Sequence, residues 1–213
     1  MANLITIGRL GLLFLTIALI YTRSFPLVAI MAIVIAIVFI SDALDGFVAR
    51  RRGSESKFGA VLDIAGDRVV ENALWIVFAH LGMIGVWAPL LVMTRGFLVD
   101  TMRGVGYTKG KSAFGEDTMM RTPITRFLTA SRFMRLFYGA AKAIGFVFLT
   151  ALFAAELPDA AGTLYADVVT ADAFRYFGWF MVYGALALTV IRGVPVLIDA
   201  MYYLADEEPE PAE

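Results

Sequence analysis

Asp42 and Asp45 stand three residues apart, Asp63 and Asp67 four apart, and both pairs lie at the edges of apolar stretches. On a helix, i,i+3 and i,i+4 spacings put each pair on one face. An ionisable side chain inside an apolar span is costly and by default marks a functional site. Four converging carboxylates repel one another, so they need divalent cations to neutralise them, or some must stay protonated. The chain has a single histidine, His80, and no cysteine, so any metal site must be built from oxygen. That chemistry favours Mg²⁺ or Mn²⁺ over Zn²⁺. Two such ions could clamp a pyrophosphate, and a carboxylate left facing an acceptor could take a hydroxyl proton. Gly46 and Ala49 share the face of Asp42, and Gly59 precedes Asp63 by one turn. Small residues there leave room for a ligand or a second helix close to the backbone.

The elements that must position these carboxylates follow from composition. Of 213 residues, 60% are hydrophobic and 17% charged, with mean hydropathy +0.76. Soluble domains carry about 45–50% apolar and about 25% charged residues. Six apolar segments can be read, at about 7–21, 26–48, 58–81, 87–102, 133–157 and 174–204. Their length argues for helix over strand, and most approach the ~20 residues that cross a bilayer. The expected fold class is therefore an all-α integral membrane protein of six transmembrane helices. After the first segment, Tyr21-Thr22-Arg23-Ser24 offers no small-x-small cleavage site, so the segment is expected to stay in the protein.

Lysine and arginine set the orientation. Arg50, Arg51, Arg52 and Lys57 follow the second segment, and Lys109, Lys111, Arg121, Arg126 and Arg132 follow the fourth. The connection at 81–86 is uncharged, and that at 156–172 carries only acids. Both termini and the aspartate end of the bundle are expected on the cytoplasmic side. Residues 1–205 read as one membrane domain and the acidic tail 206–213 as a disordered end. A net charge of −1 offers no attraction for nucleic acid. Without cysteine, disulfides and thiolate metal sites are excluded.

The string runs Asp42-Ala-Leu-Asp45-Gly46-Phe-Val-Ala49-Arg50, eight residues, Gly59, three residues, Asp63, three residues, Asp67. At every fixed position it resembles the signature of the CDP-alcohol phosphotransferases, also called CDP-alcohol phosphatidyltransferases. The resemblance implies a six-helix membrane enzyme, a homodimer, with its site open to the cytoplasmic leaflet and, in a bacterial cell, seated in the plasma (inner) membrane. It implies that Asp42, Asp45 and Asp63 bind two metal ions, and that Asp67 completes the metal shell and acts as general base. Gly46 and Arg50 would contact the CDP group, with Ala49 and Gly59 giving it room. Asn3-Leu-Ile-Thr6 is similar to the Asn-x-x-Thr segment ahead of the first span in phosphatidylglycerophosphate-making members, so Asn3 and Thr6 become candidate CDP contacts. The Ser56 hydroxyl is a further candidate.

A site at the boundary of apolar helices and cytoplasm suits CDP-diacylglycerol as donor, with a polar alcohol as acceptor and membrane lipids around it. Arg95 and Arg103 resemble an Arg-x7-Arg pattern in phosphatidylglycerophosphate synthases. The likeness departs at Gly96, where an acid usually follows, and Phe114-Gly-Glu-Asp-Thr118 and Thr122-Pro-Ile-Thr125 stand where a Gly-Lys-x-Lys-Thr stretch is expected. Arg132 and Arg135, with Lys142, add cations that a phosphate-bearing acceptor would need. Glycerol 3-phosphate is the first choice of acceptor, with inositol phosphate and serine behind it. An ion-coupled transporter using the aspartates as a cation site is the reading from another class. Glu71, one turn beyond Asp67, could support Arg68 or the aspartate site itself, while His80 and the tryptophans read as interface anchors or packing.

Overall fold

The computed structural model describes the backbone of residues 2–52, 57–108 and 122–205, and side chains over 6–41, 59, 61–104 and 122–201. Every described element is helical. The long helices are α1 (Ala2–Ile20), α2 (Phe25–Arg52), α3 (Lys57–His80), α4 (Trp87–Thr108), α6 (Arg132–Ala155) and α8 (Asp172–Ala205). They coincide with the six apolar segments and extend beyond several of them, because polar residues at the ends continue the helical turns. Two short helices, α5 (Pro123–Ala130) and α7 (Leu164–Thr170), stand before and after α6. Thr122 caps α5 by accepting from the Thr125 N–H, with Pro123 in the first turn where its missing N–H costs nothing. Thr163 caps α7 in the same way, through the Ala166 N–H. Residues 109–121 lie outside the described residues, as does the acidic tail 206–213.

Burial follows helical spacing in α1, whereas α6 is buried nearly all round from Gly145 to Ala155. In α1 the stripe is Thr6, Arg9, Leu13, Thr16 and Ile20, at spacings of three and four. Its opposite face exposes Ile7, Leu12, Phe14 and Leu15. A helix apolar on its outer face as well belongs in a nonpolar surrounding, because such a surface in water would form a large patch. The helical stretches Arg132–Ala155 and Asp172–Met201 are long and apolar enough to cross a membrane, and Thr6–Ile20 and Phe25–Ser41 are shorter apolar stretches.

The chain divides into two compact units. The first comprises Met1–Pro89 and Ala141–Tyr183, the second Leu90–Ala140 and Gly184–Glu213. In the first unit α1 packs against α2 and α3. Phe146 of α6 is the aromatic hub: its ring lies 4.7 Å from Trp75, 5.8 Å from Phe39 and 6.2 Å from Phe78. Trp75 is therefore core packing and not an interface anchor. His80, at the last turn of α3, rests against Tyr21 with ring centres 5.7 Å apart. Phe148 meets Trp179 at 5.6 Å, edge to face, and Gly178 lies directly beneath its ring. A methyl at 178 would collide with that buried ring, so Gly178→Ala is expected to cost about 1–3 kcal/mol of stability. Thermal unfolding in detergent would show the loss as a lowered midpoint.

Candidate active site

Two of the four aspartates, Asp63 and Asp67, have described side chains, one helical turn apart on α3. Both are about half exposed, at 54% and 52%. They converge on one nitrogen from another helix. Arg9 Nη2 donates to Asp67 Oδ1 at 2.8 Å and lies 3.5 Å from Asp63 Oδ1. The arginine itself is buried, with its side chain only 6% exposed. Gly66 lies between the two aspartates in sequence, and a Cβ there would stand 2.8 Å from Thr6 Cγ2 and 3.2 Å from Arg9 Nη2. The close approach of α1 to α3 thus depends on a missing side chain. Thr6, expected beside a nucleotide, is buried at this crossing.

A second charge cluster lies one turn further along α3. Glu71 is buried, and its Oε2 takes Lys142 Nζ at 3.0 Å and Arg68 Nη1 at 3.5 Å. The support of Arg68 by Glu71 is as expected from their spacing. The pairing of Lys142 with Glu71 is not, since it joins α6 to α3. Lys142 is also close enough to act electrostatically on Asp67.

The second unit holds a cationic cluster of its own. Arg192 of α8 is buried, donates through Nη2 to the Thr129 carbonyl at 3.2 Å, and stacks over the Tyr138 ring at 5.3 Å. The Tyr138 hydroxyl shares a hydrogen bond of 2.9 Å with Thr189. Arg95, Arg103 and Arg135 all lie within electrostatic reach of Arg192. Gly193 admits Arg95, since a Cβ there would stand 2.6 Å from Arg95 Cγ. Among the described residues, Arg192 Nε and Nη1 and Arg95 Nε are buried without a hydrogen-bond partner. Buried guanidinium donors left open among like charges suit an anionic ligand. Three of the four arginines expected from sequence, Arg95, Arg103 and Arg135, thus lie around a fifth, Arg192. Arg132 is exposed at the first position of α6. Arg192 follows a run from Met181 to Ile191 in which only Tyr183, Gly184 and Thr189 depart from Ala, Val, Leu, Ile and Met. A lone arginine within a long apolar stretch was the available signal.

The side chains of Asp42, Asp45, Gly46, Ala49, Arg50 and Asn3 lie outside the described residues, although their backbones are helical in α1 and α2, and Ser56 lies outside them altogether. Gly59 is described in the first turn of α3. Among the described residues no three metal-ligating side chains come together. Asp63 and Asp67 nevertheless fit a hard divalent ion: both are oxygen donors, both stay accessible, and their oxygens already converge on a single cationic atom.

A family model described as CDP-alcohol phosphatidyltransferase matches residues 1–191. A phosphatidylinositol phosphate synthase of Mycolicibacterium smegmatis is 31% identical over 81 residues, covering 38% of this chain and 36% of that protein. The inner membrane protein YnbA of Escherichia coli is 31% identical over 112 residues, 49% of this chain and 56% of its own. A CDP-diacylglycerol–glycerol-3-phosphate 3-phosphatidyltransferase of Rickettsia typhi is 22% identical over 191 residues, spanning 90% of this chain and 91% of that one. The chain thus spans between a third and three-fifths of the first two relatives' lengths and nearly all of the third.

The Glu71 cluster yields a stability test. Glu71→Ala would leave Lys142 and Arg68 facing each other without their shared carboxylate, an expected loss of about 3 kcal/mol. Replacing Glu71 and Lys142 together by Met should recover much of it, read from unfolding midpoints of the purified variants.

Proposed function

The chain belongs to the CDP-alcohol phosphatidyltransferase family, and from that membership we propose that it is an integral membrane enzyme moving a phosphatidyl group from CDP-diacylglycerol to a phosphate-bearing alcohol, with release of CMP. It spans the plasma (inner) membrane six times as a homodimer, with its aspartates facing the cytoplasm. The observation that carries the reading is the pair of accessible carboxylates, Asp63 and Asp67, whose oxygens meet at one cationic nitrogen. With Asp42 and Asp45 from the other half of the signature, they would hold two Mg²⁺ or Mn²⁺ ions. Those ions, when bound, neutralise the donor's pyrophosphate and the charge that develops on the leaving CMP.

The chain's own groups do the rest. Asp67 accepts the proton of the acceptor hydroxyl as its oxygen forms a bond to the lipid-linked phosphorus. The bond from that phosphorus to the bridging oxygen breaks, and the oxygen leaves with CMP. Gly46, Ala49, Arg50 and Gly59 receive the cytidine diphosphate, with Asn3 and Ser56 as further contacts. The outward apolar faces hold the acyl chains of the donor in the lipid.

Arg95, Arg103, Arg135 and Arg192 take the acceptor's phosphate, with Arg132 as an outlying cation. The buried, unpartnered donors of Arg192 and Arg95 favour a phosphorylated acceptor over serine. Glycerol 3-phosphate is the first choice, because the Rickettsia typhi relative of that name matches across 90% of the chain. Inositol phosphate is the second, supported by the 31% identity with the Mycolicibacterium smegmatis protein over 81 residues.

Purified protein given CDP-diacylglycerol, Mg²⁺ and each acceptor in turn should release CMP with glycerol 3-phosphate. Asp67→Asn should slow that release by about a thousandfold, as expected for loss of a general base that also holds metal. No CMP with any of the three acceptors, together with ion flux in liposomes, would replace the enzyme by a cation pathway. Arg192→Gln should raise the acceptor KM by about tenfold or more while leaving the donor KM nearly unchanged. An equal effect on both substrates would count against an acceptor site at Arg192.

A further inference from the structure

Arg9 is the wrong residue for a buried helix crossing if packing alone decided it. A guanidinium withdrawn from water is expensive, and a leucine or methionine would fill the space between α1 and α3 at far lower cost. Yet its side chain is 6% exposed while the two carboxylates it meets are about half exposed. The positive charge therefore approaches Asp63 and Asp67 from the protein side, and their remaining oxygens stay accessible. Its access is prepared by Gly66, the residue on α3 where any side chain would crowd Arg9 Nη2 and Thr6.

Resting on the metal-dependent reading above, we propose that Arg9 is a positioning residue: a fixed internal counter-cation, admitted by the Gly66 notch, that orients Asp63 and Asp67 and weakens their hold on the divalent ion. Two like charges one turn apart repel and would adopt separate rotamers; a shared donor at 2.8 and 3.5 Å restrains both. The same charge lies within a few ångströms of any ion the pair binds, and like charges at that range repel appreciably even when partly screened. The site is thereby kept ordered and prevented from binding its metal too tightly for turnover. Arg9 touches no reacting atom in this role.

The distinguishing readout is metal affinity without substrate. Mn²⁺ binding to detergent-purified protein can be followed by the electron paramagnetic resonance signal of the free ion, alongside unfolding midpoints and CMP release. Arg9→Gln should bind Mn²⁺ about tenfold more tightly, because the opposing charge is gone. It should release CMP about a hundredfold more slowly, because the carboxylates are no longer held. Arg9→Lys keeps the charge but loses the planar fork, so its affinity should return to within about twofold of the parent while part of the rate defect persists. Gly66→Ala keeps the arginine and displaces only the ends of two side chains. It should tighten Mn²⁺ binding by about threefold, and it carries the test if Arg9→Gln does not fold.

A merely structural ion pair predicts weaker or unchanged Mn²⁺ binding in folded Arg9→Gln and Gly66→Ala, and either result overturns the proposal. If the parent binds Mn²⁺ in a manner abolished by Asp67→Asn while these variants bind as the parent does, only the role of Arg9 fails. If the parent shows no such binding, the metal-dependent reading fails with it.

Discussion

A charge can remain in apolar surroundings only when an opposite charge or a ligand meets it there. This constraint organises the described structure. Arg9 is buried against Asp63 and Asp67, and Glu71 is buried between Lys142 and Arg68. Arg9 joins α1 to α3 and Lys142 joins α6 to α3, while Arg68 meets Glu71 within α3. Arg192 obeys the rule only in part. Its carbonyl and aromatic contacts satisfy one edge of the guanidinium, and the donors left over sit among three further arginines. An incomplete pairing of this kind leaves donors that an anionic ligand could meet.

Glycine lets these charges reach one another. Gly66 clears the path of Arg9 to the aspartates, and Gly193 clears the path of Arg95 across α8. Elsewhere the same device serves apolar packing, with Gly178 under Phe148 and Gly145 against Val182. Where hydrophobic burial between helices is weak, as it is for helices bathed in lipid, close backbone approach supplies dispersion and brings polar groups within range. The notches thus connect the packing of the bundle with its chemistry.

Much of the helical layout was legible because it is local. Apolar segments near the length of a bilayer span appear as six long helices, and the turn chemistry of Thr122 and Pro123 is visible in the chain itself. The convergence of Asp63 with Asp67 follows from helical period alone. Glu71 beside Arg68 was equally readable at i,i+3. The pairing of Lys142 with Glu71 was not legible, because it joins α6 to α3 across 71 positions of chain and no local pattern specifies it. The partners of Arg192 were not legible, because Thr129 and Tyr138 stand 63 and 54 positions away along the chain.

Residue types and spacing by themselves determined the helical class, the oxygen-only character of any metal site and the pairing of the aspartates. Each depends on hydropathy or on helical periodicity, and both are properties of neighbouring residues. Only the tertiary structure decided what stands opposite those carboxylates. Arg9 lies 58 positions from Asp67, and nothing in the local pattern of either segment specifies that one will be buried against the other. That contact arises where α1 crosses α3 at a glycine, and its consequence is electrostatic: the carboxylates that sequence presents as a bare anionic pair carry a fixed positive charge behind them.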